Sequence, residues 1–442
     1  MKTSQSGLFK AVSSARTFLV TLSLLVMGSI PNAYAIPAFS QQTGMSCEAC
    51  HVGAFGPQLT PFGRKFKLMG YTMKSAKSGL TPKISFQVLE SFLRTQKDQP
   101  GPAAPGFNSN DNWELQTIGV YLAGPITDHL GLFAQASYSQ NGHTLGWDSM
   151  DIRYARTTDI GSHSAIWGIS LNNAPTLSDI YNSTPAWQYP FEGPDLAPGA
   201  PATPMIMGAF ANGVLGVTAY TQIDSKWYLE AGGYQTPSLS FLNRVNGNYF
   251  GRLTRTAPYL RLAYQTDLTP HTNLEVGGLY FAPNLQPMGL GAGSDNYRDY
   301  GVDASYEWLA NSKFSFTAQG LYVHEAQTLN NTFAAGGASN LHNHLNAINL
   351  NASGWYENTY GLTLGALTND GSSDTQLYGG SPNTDGGVIE LNWVPFGKQT
   401  SWNQPYVNLR VGLQYNFYTK FAGLSSNASD NNATYLYFQT FF

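Results

Sequence analysis

The chain has 442 residues and a formal net charge of −4 at pH 7, so no basic surplus points to nucleic acid, and nucleic acid is excluded as a partner. Charged residues make up 11% of it, against roughly 25% in an ordinary soluble domain, while aromatics reach 13%. Mean hydropathy is −0.22, too polar for a bundle of membrane helices. Few charges, many aromatics and abundant Asn, Gln, Ser, Thr and Gly fit a transmembrane β-barrel, with lipid on one strand face and water on the other.

Residues 1–35 read as a secretory signal. Lys2, Lys10 and Arg16 give a positive start. The apolar run Phe18–Met27 is too short to span a bilayer as a helix, and Ala33-Tyr34-Ala35 is an A-x-A cleavage site, so the mature chain is expected to begin at Ile36.

Cys47-Glu48-Ala49-Cys50-His51 follows, the C-x-x-C-H signal for covalent haem c. Two thiols three positions apart can add to the two vinyl groups of one porphyrin, and the next histidine is placed to ligate the iron. These are the only 2 cysteines in the chain. A disulfide is the alternative chemistry for them, and it leaves the adjacent His51 unexplained. Residues 36–82 are dense in Pro and Gly, which leaves little room for long helices. A segment this small needs staples; haem is one, and the barrel wall is expected to be the other.

From Lys83 onward period-two alternation recurs with no sustained helical period. Along Tyr406–Phe417, Val407, Leu409, Val411, Leu413, Tyr415 and Phe417 share one face, and Asn408, Arg410, Gly412, Gln414 and Asn416 the other. Sixteen such segments start near residues 83, 113, 132, 148, 164, 211, 227, 256, 272, 299, 313, 342, 360, 386, 406 and 433. Short connections alternate with long ones, as periplasmic turns and extracellular loops do, although 139–147 is only moderate for a long-side loop and 397–405 is long for a short-side turn. The chain closes on Tyr435–Phe442, an aromatic strand ending in Phe, which resembles the assembly signal of outer-membrane barrels. The expected architecture is all-β: a 16-stranded porin-like barrel of the bacterial outer membrane (83–442), its lumen plugged by a monohaem segment (36–82), in contact with outer-membrane lipid.

The runs Ile36–His51 and Pro57–Tyr71 (PQLTPFGRKFKLMGY) resemble the N-terminus of fused outer-membrane cytochrome–porins, the monohaem family that includes Fe(II) oxidases of iron-oxidising bacteria. The resemblance implies one haem c in the mouth or lumen of a sixteen-stranded barrel. It implies electrons passing from Fe(II), or another extracellular reductant, to a periplasmic c-type cytochrome or other periplasmic carrier. Cys47 and Cys50 then anchor the haem, and His51 is the proximal ligand.

For the distal ligand, Met69 and Met73 are the candidates, with Met45 behind them and a barrel histidine as the rival; for any one Met, packing is the plainer role. Arg64, Lys65 and Lys67 form a basic cluster that pairs with haem propionates or with luminal carboxylates, or else sits on a solvated loop. His342 and His344 share a strand face without a visible third ligand. Asp98, Asp111, Asp195, Asp295 and Asp370 fall on expected outer loops, where they either attract Fe(II) by their field or are ordinary loop acids. No hydrolase or nucleotide motif is present. The functions left are electron transfer as an iron oxidase, a haem-plugged transport channel, and electron export to an extracellular acceptor.

Overall fold

A computed structural model describes residues 38–310, 313–401, 403 and 406–442; the expected signal segment 1–35 lies outside the described residues. Sixteen long antiparallel strands form one closed sheet. They are β1 (Lys83–Thr95), β2 (Asn112–Pro125), β3 (Leu130–Ser139), β4 (Thr144–Ile160), β5 (His163–Asn172), β6 (Leu215–Ile223), β7 (Trp227–Gln235) and β8 (Ala257–Thr269). Then follow β9 (Thr272–Phe281), β10 (Asp295–Trp308), β11 (Phe314–Thr328), β12 (His342–Tyr356), β13 (Tyr360–Gly371), β14 (Thr384–Trp393), β15 (Asn408–Lys420) and β16 (Ala433–Phe441). Each pairs with its chain neighbours, and β1 closes on β16, from Gln87 opposite Phe441 to Thr95 opposite Ala433. Two short pieces, Gly251–Leu253 and Asn284–Pro287, pair with each other on the long-loop side. The starts match the expected ones, with the largest offsets at Thr144, Leu215 and Asp295.

Short turns at 126–129, 161–162, 224–226, 270–271 and 357–359 mark one rim of the barrel. The exception on that rim, between β14 and β15, runs from 394 to 407. The moderate loop expected at 139–147 is instead four residues, 140–143, because β3 and β4 stay paired out to Ser139 opposite Thr144.

The barrel is inside-out relative to a soluble fold. Ile84, Val217, Leu260, Leu262, Val276, Val302, Leu350, Leu364 and Leu391 are exposed. Arg153, Glu230, Arg261, Glu275, Asp303, Asn351, Glu390, Arg410 and Gln414 are buried. On β15 the polar set Asn408, Arg410, Gln414 and Asn416 faces in, and Leu413 and Tyr415 face out, so the alternation read from the sequence sets the two faces. Exposed Trp227, Trp308, Phe314, Tyr356, Tyr360 and Trp393 all lie where strands meet the short-turn rim, forming an aromatic girdle. Among the described residues no helix is long and apolar enough to cross a membrane; the strands make the crossing. Closure satisfies every strand's backbone within the sheet, which a lipid-embedded barrel requires. The fold is that of a porin-like barrel of the bacterial outer membrane.

Two segments fill the lumen. The first is the N-terminal plug, with α1 (Ala38–Thr43), α2 (Cys47–Cys50) and α3 (Pro61–Leu68). It belongs to the same compact unit as the barrel. The second is 173–214, which leaves the end of β5 and runs inward, burying Leu177, Ile180, Tyr181, Tyr189, Leu196 and Phe210. Its anchor is Arg261 of β8, which faces Glu275 at 3.1 Å, Asp179 of the inserted segment at 3.5 Å, and Asp303. Ser183 Oγ also donates to Asp303 at 2.6 Å. The plug is tied to wall and inserted segment alike. Tyr71 Oη donates to Asp151 at 2.7 Å, Tyr220 Oη to the Leu68 carbonyl at 2.8 Å, and Lys67 Nζ to Leu177 O and Asn182 Oδ1. The barrel wall and the inserted segment thus both hold this short segment in place.

Candidate functional site

Thr60 braces the C-x-x-C-H motif. α2 spans the C-x-x-C residues, and His51 leaves it in extended backbone. The chain turns through Gly53 at φ +73° and doubles back, so that His51 bridges Leu59 and Val52 N–H donates to Gln58 O at 3.0 Å. Thr60 then serves both sides of the fold. Its N–H donates to Cys50 O at 2.9 Å, its hydroxyl donates to Ala49 O at 2.5 Å, and the same hydroxyl accepts from Gly63 N–H at 3.2 Å as the N-cap of α3. Pro61, at the first helical position, has no N–H to leave orphaned.

Cys47 is buried and Cys50 half-buried, and they are not joined in a disulfide. Burial, with Cys47 and Glu48 nearby, pushes the Cys50 thiol up to about 12. Burial pushes His51 down to about 4, against a smaller opposing effect of the Gly56 backbone, so the ring is neutral at ordinary pH. Its Nδ1 is buried without a hydrogen-bond partner. A neutral imidazole is the form that ligates a metal.

Cys47, Cys50 and His51 all open on one cavity of about 490 Å³. Its wall is largely aromatic. Phe39 stands 4.8 Å from Phe66 and stacks on Tyr71 at 5.3 Å. Tyr121 sits 5.9 Å from Phe133 and 5.8 Å from Phe441, and Phe441 lies 5.3 Å from Phe55. Trp187 and Phe191 of the inserted segment also line it, Lys67 and Arg410 are its cations, and Asp148 and Glu192 are its carboxylates, among amides such as Gln87 and Gln439. Most of its strand residues come from the starts of β1, β3 and β15 and the ends of β2 and β16, toward the short-turn rim, and Asp148 and Ser149 of β4 extend it away from that rim. Two thiols, a neutral imidazole, aromatic side chains and two cations fit a planar apolar macrocycle carrying carboxylates, with Asp148 and Glu192 the wall's own acids. Cys47 and Cys50 would hold a haem c covalently, and His51 would supply its axial nitrogen.

No protein-family model and no curated protein matches the sequence. Solved structures are similar in outline. The outer-membrane channel DcaP of Acinetobacter baumannii is 12% identical, with 83% of this chain and 99% of that one covered and a TM-score of 0.48. The anion-selective porin of Comamonas acidovorans is 13% identical, with 82% and 98% covered and a TM-score of 0.45. The outer-membrane protein OmpT of Vibrio cholerae is 13% identical, with 83% and 98% covered and a TM-score of 0.42. The fold assignment rests on the strand order and closure of this chain rather than on these similarities.

The other expected site residues scatter. Arg64 does not border the cavity: its guanidinium pairs with Glu307 of β10 and donates to Leu59 O at 2.9 Å, which is the luminal-carboxylate role rather than the propionate one. Met69 caps the C-terminus of α3, Met73 lies in the following coil, and neither borders the cavity. Met45 is 40% exposed and also stands apart. Among the described residues the cavity wall holds no methionine, and no histidine besides His51. His342 and His344 face outward on β12, and His344 stacks on His324 of β11 at 6.4 Å; among the described residues no metal-binding cluster forms there. Of the loop acids, Asp295 accepts from Asn331 and Thr332, Asp98 from Asn110, and Asp370 from Asn383. The aromatic wall and Arg410 escaped the sequence reading as site residues. For Tyr121, Phe133, Phe441 and Arg410 the one signal was their position on alternating strands, which says which face they occupy and not what they meet; Phe39, Phe66, Tyr71, Trp187 and Phe191 lie outside the strands and carried no such signal.

Proposed function

We propose that this chain is an electron-transfer protein of the outer membrane, taking electrons from Fe(II) or another extracellular reductant and passing them to a periplasmic carrier. The observation that carries this reading is the convergence of Cys47, Cys50 and His51 on one aromatic-walled cavity inside a membrane-spanning barrel. A bound haem c supplies a one-electron couple whose potential is tuned by its ligands and surroundings. The chain's own residues do the rest. The two thiols fix the group, His51 offers a neutral nitrogen, and the aromatic side chains pack against its faces. Its placement toward the short-turn rim suits exchange with a periplasmic partner. In the purified protein, the Cys47–Cys50 peptide is expected to carry haem mass, and Fe(II) is expected to convert the oxidised spectrum to the reduced one. Failure of Fe(II) to do so at any workable pH overturns the direction from iron, and the midpoint potential then decides between another donor and electron export to an extracellular acceptor.

A second reading, a transport channel closed by its plug, is favoured by the closed sixteen-stranded barrel itself. Conductance in planar bilayers separates the two. On the electron-transfer reading the intact protein conducts little, because the plug and segment 173–214 both occupy the lumen, and deletion of 38–82 raises conductance. A large open pore in the intact protein favours transport.

A further inference from the structure

Arg410 is a buried cation of the cavity wall that stands beside the carboxylates of Glu192 and Glu390 and whose Nε meets no hydrogen-bond acceptor. It lies on β15 and is 3% exposed, with its guanidinium 4.9 Å from the ring of Phe55 and 5.0 Å from that of Tyr437. Glu192 Oε1 stands 3.7 Å from Nη2, outside hydrogen-bond reach, and already accepts from Gln439 Nε2 at 2.5 Å. Other nearby cations are engaged. Arg64 pairs with Glu307, and Lys67 donates to Leu177 O and Asn182 Oδ1 while lying 4.1 Å over Trp187.

A buried guanidinium is costly to leave unmatched, and its planar fork suits a carboxylate gripped by two parallel N–H bonds. Phe55 lies four residues beyond His51, so the stack on Phe55 brings the guanidinium to the cavity that Cys47, Cys50 and His51 share. We propose that Arg410 binds a propionate carboxylate of the haem and so positions the macrocycle against the barrel wall. This rests on the haem reading above. The anchor thus comes from the far end of the chain, and the plug's cofactor is held by a strand some 360 residues away. A fixed positive charge beside the haem also favours the reduced iron, which carries one positive charge fewer.

The test compares wild type, R410K and R410Q as intact, haem-loaded, detergent-extracted protein. Spectroelectrochemical titration at one pH is expected to give R410Q a midpoint about 59 mV lower, a tenfold change in a one-electron equilibrium. R410K, which keeps the charge and loses the fork, is expected to fall between. Resonance Raman bands of the propionate bends are expected to move in both variants, a readout that loss of packing alone does not shift. Haem-loaded R410K with unmoved bands and potential overturns the Arg410 assignment, even where R410Q fails to assemble. Wild type without haem mass on the Cys47–Cys50 peptide overturns instead the reading on which the assignment rests.

Discussion

Gly63 packs directly against the carbonyl oxygen of Cys50: a Cβ at position 63 would be driven into that oxygen, closer than side chains approach backbone in folded proteins. This contact lets α3 cross over the C-x-x-C-H motif. It is a close-approach glycine, with no unusual backbone angle of its own. G63A is therefore expected to displace α2 from α3 and lower the yield of covalent haem at unchanged barrel content. The ratio of haem absorbance to folded barrel, read from heat-modifiable gel mobility, checks it; an unchanged ratio contradicts the contact's role.

Arg64 and Glu307 join plug to wall as a buried ion pair. Removing one partner of such a pair strands the other charge at a cost of about 3–5 kcal/mol, whereas replacing both with apolar groups is far milder. R64L is expected to loosen the plug, exposing 38–82 to protease added from the short-turn side. R64L combined with E307L is expected to recover much of the protection. Equal loss in single and double variants contradicts the pairing argument.

The distal-ligand question turns on Met69 and Met73, which the fold keeps off the cavity wall. Single and double exchange to Leu is expected to leave the haem absorption spectrum where it was, because Leu preserves apolar volume. A clear change in the low-spin bands of either variant restores methionine as the ligand.

Asp374 ties two outer loops together. Burial opposes its ionisation, yet the N–H groups of Ser339, Asn340, Leu377 and Gln376 and the side-chain amide of Asn343 hold its carboxyl well below the usual range. A depressed folded-state value means that the stabilisation is full above the unfolded value of about 3.9 and is lost only as pH falls through the lower, folded one. Loops 329–341 and 372–383 are thus expected to stay paired at pH 4. D374A is expected to separate them at any pH, with a loss of about 2 kcal/mol. Protease nicking at these loops in intact cells, scored at pH 4 and pH 7, checks both statements; nicking of wild type at pH 4 contradicts the first.

The sequence by itself determined the barrel. Strand number, strand starts and the division of β15 into an Asn408–Arg410–Gln414 face and a Leu413–Tyr415 face follow from period-two alternation, because lipid and lumen impose opposite polarity on successive side chains. It also determined the motif, since thioether and axial-ligand chemistry need two thiols and a histidine at fixed spacing, as at Cys47, Cys50 and His51. Tertiary structure decided what surrounds that motif. Asp195 reads as an outer-loop acid until its segment, 173–214, is seen inside the lumen with Asp179 facing Arg261, and Arg64 reads as a propionate partner or a luminal pair until Glu307 is seen beside it. Local pattern says which face a side chain occupies. Which residues meet across a closed lumen is set by the register and closure of all sixteen strands at once, and no local stretch of sequence holds that information.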